Sequence, residues 1–207
     1  MPMTRESSSI PPARGPSEHD VRDQIIAAAS EYFRLYGYDK TTVSDLAKSI
    51  GFSKAYIYKF FGSKQAIGEV ICANRLDLIK AMVDERMAVA TSASERLRRM
   101  FGALVEASSD LFFHDRKLYD IAAASAREDW PSALSYMAHI RELIKQILLE
   151  GRASGEFERK TPLDETTNAI YLVFQPYVAP LLLQHNLDNT QQATNHLTNL
   201  MLRSLAP

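Results

Sequence analysis

Residues 41–70 read TTVSDLAKSIGFSKAYIYKFFGSKQAIGEV, and they spell two short helices and the start of a third. Thr42 and Asp45 stand at the spacing of a capping box, hydroxyl at the cap and carboxylate three residues on. Val43, Leu46, Ala47 and Ile50 follow at i, i+3, i+4 and i+7, one apolar face of about two turns. Gly51 ends that helix. Ser53 can cap a second one, Lys54 to Phe60, with Ile57, Phe60 and Phe61 turned inward. Gly62-Ser63 breaks it, and Ser63 caps a long helix through Ile67, Val70, Ile71, Leu78 and Met82, ending near Ala90.

Two short helices joined by Gly51-Phe52-Ser53 have the layout of a helix-turn-helix. In that motif the first helix buries one face, the turn is tight, and the second helix offers its N-terminal residues to base edges in the major groove. Lys54, Ala55, Tyr56 and Lys59 are the positions predicted to be exposed there. From Lys40 to Lys64 the chain has five lysines and one aspartate, a net of +4. The whole chain has a net charge of −1, so the remainder carries −5. Cationic charge is concentrated where a phosphate backbone would lie. A solvated lysine face on a small helical core is the alternative; the turn, caps and charge together favour nucleic acid.

Upstream, Ser17 and Asp20 form another capping-box pattern, and Ile25, Ala28, Ala29, Tyr32, Phe33 and Tyr36 recur at helical spacing up to Gly37. Residues 1–16 hold four of the nine prolines and the run Ser7-Ser8-Ser9, and are expected to be a disordered tail. Its Arg5 and Arg14 resemble a minor-groove arm, but Glu6 and Glu18 lie nearby and an inert tail is the simpler expectation. Downstream the helical period persists. One helix carries Leu97, Phe101, Leu104, Ser108 and Leu111, and another Leu118 to Ala126, stopped by Trp130-Pro131. A stripe of Leu134, Met137, Arg141, Ile144 and Leu148 runs to Gly155. Pro162 suits the first position of the next helix, which Pro176 and Pro180 should kink. A last helix carries Leu197, Leu200, Met201 and Leu205.

The expected fold is therefore all-α, about nine helices. The expected organisation is a tail at 1–16, a helix-turn-helix domain at 17–64 and a helical domain at 65–207. Apolar residues are 46% and charged residues 24% of the chain, an ordinary globular balance. The lone cysteine, Cys72, excludes an intrachain disulfide. No secretory h-region and no apolar run near the roughly 18 residues of a membrane span appear, so a soluble cytoplasmic protein without a membrane partner is expected.

The stretch Thr41–Val70 resembles the DNA-binding segment of TetR-family transcriptional regulators. The matching elements are the TTV start, the LA pair, the G-F-S-K turn, the I-Y-x-x-F helix and the S-K opening the fourth helix. The resemblance implies that Thr42 and Tyr58 give hydroxyls to phosphate. It puts Ser53 and Lys54 at the entrance of the recognition helix, and Ala55 and Tyr56 on the groove floor. Lys59 would face the backbone or a base, and Lys64 would bind phosphate. Three residues depart from the family pattern. Ala55 stands where Gly is frequent and Tyr56 where a small residue or Thr is common. Gly62 stands where Pro or a polar residue is usual, which would loosen the hinge into the fourth helix.

The resemblance further implies that the C-terminal helices hold a ligand pocket and a dimer face. Candidate pocket residues are Phe101, Ser108, Tyr119, Trp130, Met137, Arg141 and Phe174, an apolar set with a few polar anchors. An Arg141 facing the pocket would suit an anionic ligand. Candidate dimer residues are Ile170, Phe174, Val178, Leu181, Leu182, Leu197, Leu200 and Met201, more apolar than one packed side requires. Intrachain core is the alternative for both sets.

No catalytic constellation is found. His139 and Glu142 are a single i, i+3 pair, His114, His185 and His196 are isolated, and phosphate-loop, dinucleotide and Gly-x-Ser-x-Gly motifs are missing. No cofactor and no metal are expected. The reading is a homodimeric repressor on a palindromic double-stranded DNA operator, released by a largely apolar small molecule. A DNA-binding regulator without a ligand is the alternative, and an all-helical enzyme a remote one.

Overall fold

The computed structural model describes residues 18–207, which form ten α-helices and, among the described residues, no strand. In chain order they are α1 (Glu18–Tyr36), α2 (Val43–Ser49), α3 (Lys54–Tyr58), α4 (Lys64–Ala88) and α5 (Ala93–His114), followed by α6 (Arg116–Arg127), α7 (Pro131–Ser154), α8 (Leu163–Val178), α9 (Pro180–Leu183) and α10 (Thr190–Leu205). The tail and the cap expected at Ser17 lie outside the described residues.

Local chemistry accounts for most helix ends. The Ser53, Ser63 and Ser92 hydroxyls accept from the backbone N–H of Tyr56, Ala66 and Glu95 at 3.0–3.1 Å, satisfying donors that a helix start leaves unpaired. Gly37, Gly51 and Gly155 take φ of +88°, +71° and +83°, the left-handed region in which glycine carries no Cβ penalty.

Two expectations near proline shift. Pro162 is the residue before α8, not its first helical position. The kinked helix is two helices: Ala179, pushed out of the α region by the ring of Pro180, has φ −78° and ψ +126°. Pro180 then opens α9, while Pro176 remains inside α8. That split makes ten helices where about nine were expected.

The apolar interior has two main parts. The larger is built from α5, α7, α8, α10 and the C-terminal half of α4, with Leu97, Phe101, Leu148 and Phe174 buried. The smaller gathers α1, α2, α3 and the N-terminal half of α4 around Ile25, Phe33, Leu46, Ile57 and Ile67. It also contains Ile121 and Ala124 of α6 and Trp130, so it is not closed by residues 17–64 alone. Trp130 is fully buried. It stands with Tyr38 over Gly68 of α4, where an added Cβ would lie 2.9 Å from the Tyr38 ring and 3.0 Å from the indole.

α7 is rotated from its expected face. Its buried residues are Ala133, Ile140, Ile144, Ile147, Leu148 and Gly151, while Leu134 is 47% exposed and Arg141 is exposed. A seven-residue step drifts by about 20° on a straight helix, which carries positions 134 and 141 off the core side.

Candidate functional site

α2 and α3 meet across a turn in which Gly51 takes its positive φ and the Phe52 N–H donates to the Ala47 carbonyl at 2.9 Å. α3 is only five residues long, too short to persist alone. It is held by tertiary anchors. Ile57 is fully buried and Phe61 nearly so, each worth about 1.5–3 kcal/mol of apolar burial. Arg22 of α1 donates from Nη1 to the Phe60 carbonyl at 2.9 Å and lies 4.2 Å from the Phe61 ring centre. It pins the exit of α3 to α1. No signal in the sequence marks Arg22, because its partners lie about forty residues away and one is a backbone carbonyl.

The opposite side of α3 presents Ser53, Lys54, Ala55, Tyr58 and Lys59, all exposed. The Lys54 ammonium lies 5.7 Å from the Tyr58 ring centre and that of Lys59 5.6 Å from Tyr56. Each cation is thus paired with an aromatic face. Tyr56 is half-buried in an aromatic row, edge-on to Phe52 at 5.0 Å and to Phe60 at 5.3 Å.

Two of the residues expected on phosphate are engaged within the chain. The Thr42 hydroxyl accepts from the Asp45 N–H at 3.2 Å and donates to the Asp45 carboxylate at 2.6 Å. Those Thr42 bonds hold the Asp45 pKa below its ordinary value. The hydroxyl proton is therefore committed to Asp45. The Lys64 ammonium donates to the Tyr38 carbonyl at 3.0 Å and stands 4.2 Å from the Tyr38 ring centre. It is thus held against the protein at Tyr38. Gly62 has open space around its would-be Cβ and no positive φ, so sterics do not require glycine there.

A cavity of about 110 Å³ lies between α4 and α8. Leu76 and Ile79 of α4, Tyr136 and Met137 of α7, and Tyr171 and Gln175 of α8 contribute to its wall. Of the expected pocket residues, Ser108, Tyr119 and Met137 reach it. Phe101 and Phe174 do not: they stack face to face at 4.0 Å, fully buried in the larger core. Trp130 belongs to the smaller core, its indole N–H donating to Glu128 at 2.9 Å. Arg141 lies on the outer side, 3.9 Å from the Tyr171 ring centre, so the anionic ligand its inward placement would have suited loses its anchor. Tyr136, an aromatic with a polar handle that suits such a cavity, lines it, while Tyr171 and Gln175 of α8 carry no local sequence signal that separates cavity wall from dimer surface. Cys72 also lines the cavity, its thiol donating to the Ser125 hydroxyl at 3.4 Å and its pKa raised by burial.

The residues expected at a dimer face divide. Ile170, Phe174 and Met201 are buried in the chain's own core, and Val178 and Leu197 pack half-buried against it. Leu181, Leu182 and Leu200 are exposed, and so is Leu172, which was not singled out. A groove of about 390 Å³ runs between α8 and α10, with Ala169, Val173 and Leu200 on its sides.

Among the described residues, no three His, Cys, Asp or Glu side chains are grouped to hold a metal ion, and no helix is long and apolar enough to cross a membrane.

Comparison with known proteins agrees with this geometry. Residues 25–70 match the family "Bacterial regulatory proteins, tetR family", and residues 93–197 match "Tetracyclin repressor-like, C-terminal domain". The HTH-type transcriptional activator FasR of Mycolicibacterium smegmatis is 32% identical over 98 residues, 47% of this chain and 43% of that protein. The match thus spans less than half of FasR. The HTH-type transcriptional repressor KstR2 of the same organism is 29% identical over 146 residues, 69% of this chain and 70% of its own. The fatty acid degradation regulator FadR from Bacillus halodurans superposes with a TM-score of 0.67 at 19% identity, over 91% of this chain and 97% of its own. FadR from Bacillus subtilis, solved in complex with stearoyl-CoA, superposes with a TM-score of 0.65 at 21% identity, over 88% and 98%. These structures share the fold.

A basic helix-turn-helix carried on a larger helical body is the build of a DNA-binding transcriptional regulator. The chain belongs to the TetR family of such regulators.

Proposed function

We propose that the protein is a homodimeric repressor that holds a palindromic operator and is released by a small, largely apolar molecule. The observation that carries this reading is the path of α4. It begins at Lys64, directly after the recognition helix α3, and its residues Cys72, Leu76 and Ile79 wall the cavity. One rigid element thus touches both places that would have to communicate. A ligand that favours one tilt of α4 over another would shift the population of DNA-competent dimers by its differential affinity for the two states.

On this reading Ser53, Lys54, Ala55, Tyr58 and Lys59 face DNA, Tyr56 reads from the edge of its aromatic row, and exposed leucines of α8 and α10 meet a second copy. A two-fold dimer sets two recognition helices about 34–36 Å apart, or somewhat more, to match successive major grooves. Relatives support the parts separately: KstR2 is named a repressor, and FadR from Bacillus subtilis is solved with stearoyl-CoA.

The test is DNA binding by the purified protein, using the promoter region of its own gene, titrated with salt and competitor DNA. The expected result is specific, salt-dependent binding of two chains to a palindromic site. Absence of binding at low salt would overturn the reading.

A further inference from the structure

Resting on release of the protein by a ligand in this cavity, we infer that the effector is uncharged, apolar over most of its surface, and carries one hydrogen-bond acceptor that receives the Tyr136 hydroxyl.

Charge comes first. Among the described residues, no Asp, Glu, Lys, Arg or His lines the cavity. Arg141 sits beyond the Tyr171 ring, and Arg75 lines two adjoining spaces on the far side of Ile79 without lining the cavity itself. An ionised group entering the cavity would give up its water and find no counter-charge.

The Ser108 hydroxyl donates to the Val178 carbonyl at 3.4 Å, Ser125 to Ala122 at 2.9 Å and Tyr119 to the Pro180 carbonyl. These hydroxyls are committed to the protein. Tyr136 is different: it lines the cavity and makes no hydrogen bond among the described residues. Burial raises its pKa above the ordinary value, so the phenol stays protonated and acts as a neutral donor. The half-buried Tyr136 hydroxyl has no acceptor within the protein, and an incoming carbonyl or ether oxygen supplies one. Gln175, on the α8 side of the same wall, gives a second uncharged polar group.

Size sets the probe. An apolar cavity of about 150 Å³ suffices for benzene in a well-studied case, so about 110 Å³ here calls for a single small ring and slight expansion of the wall. Acetophenone, ethylbenzene and benzoate are close in size and differ in the property at issue.

The experiment measures binding of these three probes to the full chain at pH 7.5 by calorimetry and by shift in Tm. Acetophenone should bind about five-fold more tightly than ethylbenzene, the worth of one net hydrogen bond. Benzoate should bind at least about 100-fold more weakly than acetophenone. Tyr136→Phe should erase the advantage of acetophenone and leave ethylbenzene unchanged. Equal loss of both probes in Tyr136→Phe would overturn the donor role of Tyr136. Benzoate binding as tightly as acetophenone would overturn the uncharged class while leaving a cavity ligand in place; this ratio is read on the unaltered protein and needs no variant. Failure of all three to bind protein that still binds its operator would overturn the cavity as the effector site, and this assignment with it.

Discussion

The indole of Trp130 stands edge-on to the ring of Tyr38, centroids 5.5 Å apart and planes at 69°. Tyr38 comes from the loop after α1 and Trp130 from the turn before α7, so the pair joins the helix-turn-helix core to the larger helical body over Gly68 of α4. Gly68→Ala would put a methyl within 2.9 Å of one ring and 3.0 Å of the other. Overpacking of this kind costs about 1–3 kcal/mol. A fall in the urea midpoint, followed by the fluorescence of the single tryptophan, would show it; an unchanged midpoint would mean that the junction is loosely packed.

Alkaline pH should act at the same junction. Burial, with smaller contributions from Glu128, Asp39 and Glu69, pushes the Tyr38 phenol up to about 12. The folded value lies above the unfolded one of about 10. The associated stability is therefore intact below pH 10 and is lost as pH rises towards 12. Comparing urea midpoints at pH 8 and pH 11 should show a steeper loss in the native protein than in Tyr38→Phe, by roughly 1 kcal/mol at most. Parallel losses in the two proteins would assign the alkaline effect to groups other than Tyr38.

The lysines of the recognition unit should separate by role. Lys54→Ala and Lys59→Ala should each weaken operator binding and lower the slope of log affinity against log salt by about one. Lys64→Ala should leave that slope unchanged and lower thermal stability instead, because its ammonium is spent on the Tyr38 carbonyl. A reduced slope for Lys64→Ala would show that the side chain swings out on DNA.

The dimer face can be probed where the chain leaves leucine exposed. Leu172→Glu and Leu200→Glu, at 53% and 57% exposed, should shift sedimentation towards a monomer that keeps its helical content. Phe174→Ala, inside the core, should cost about 3–5 kcal/mol and unfold the chain before it changes the oligomer. A dimer surviving both leucine substitutions would place the interface elsewhere.

The helix-turn-helix was legible because its signals are local. Thr42 with Asp45, Gly51 and Ser53 act over three or four residues, and the structure forms each cap and turn at those positions. The fate of Lys64 was not legible, since its acceptor is a carbonyl 26 residues away. The cavity was half legible. Ser108 interrupts an apolar stripe and reaches the wall, but Phe101 and Phe174 have the same helical spacing as lining residues and stack on each other instead. Periodicity tells which face of a helix is inward. Whether the neighbour on that side is protein or empty space depends on how six helices, α4 to α9, meet.

The shared use of α4 has a thermodynamic corollary on the proposed reading. Coupling between two binding sites is reciprocal. If filling the cavity weakens the hold on the operator by some factor, the operator must weaken the hold on the effector by that same factor. Protein resting on its operator would then be a poorer sensor than protein free in solution. The concentration of effector needed for release would rise with the number of operator copies in the cell, and the response threshold would be a property of the genome as well as of the 110 Å³ between α4 and α8.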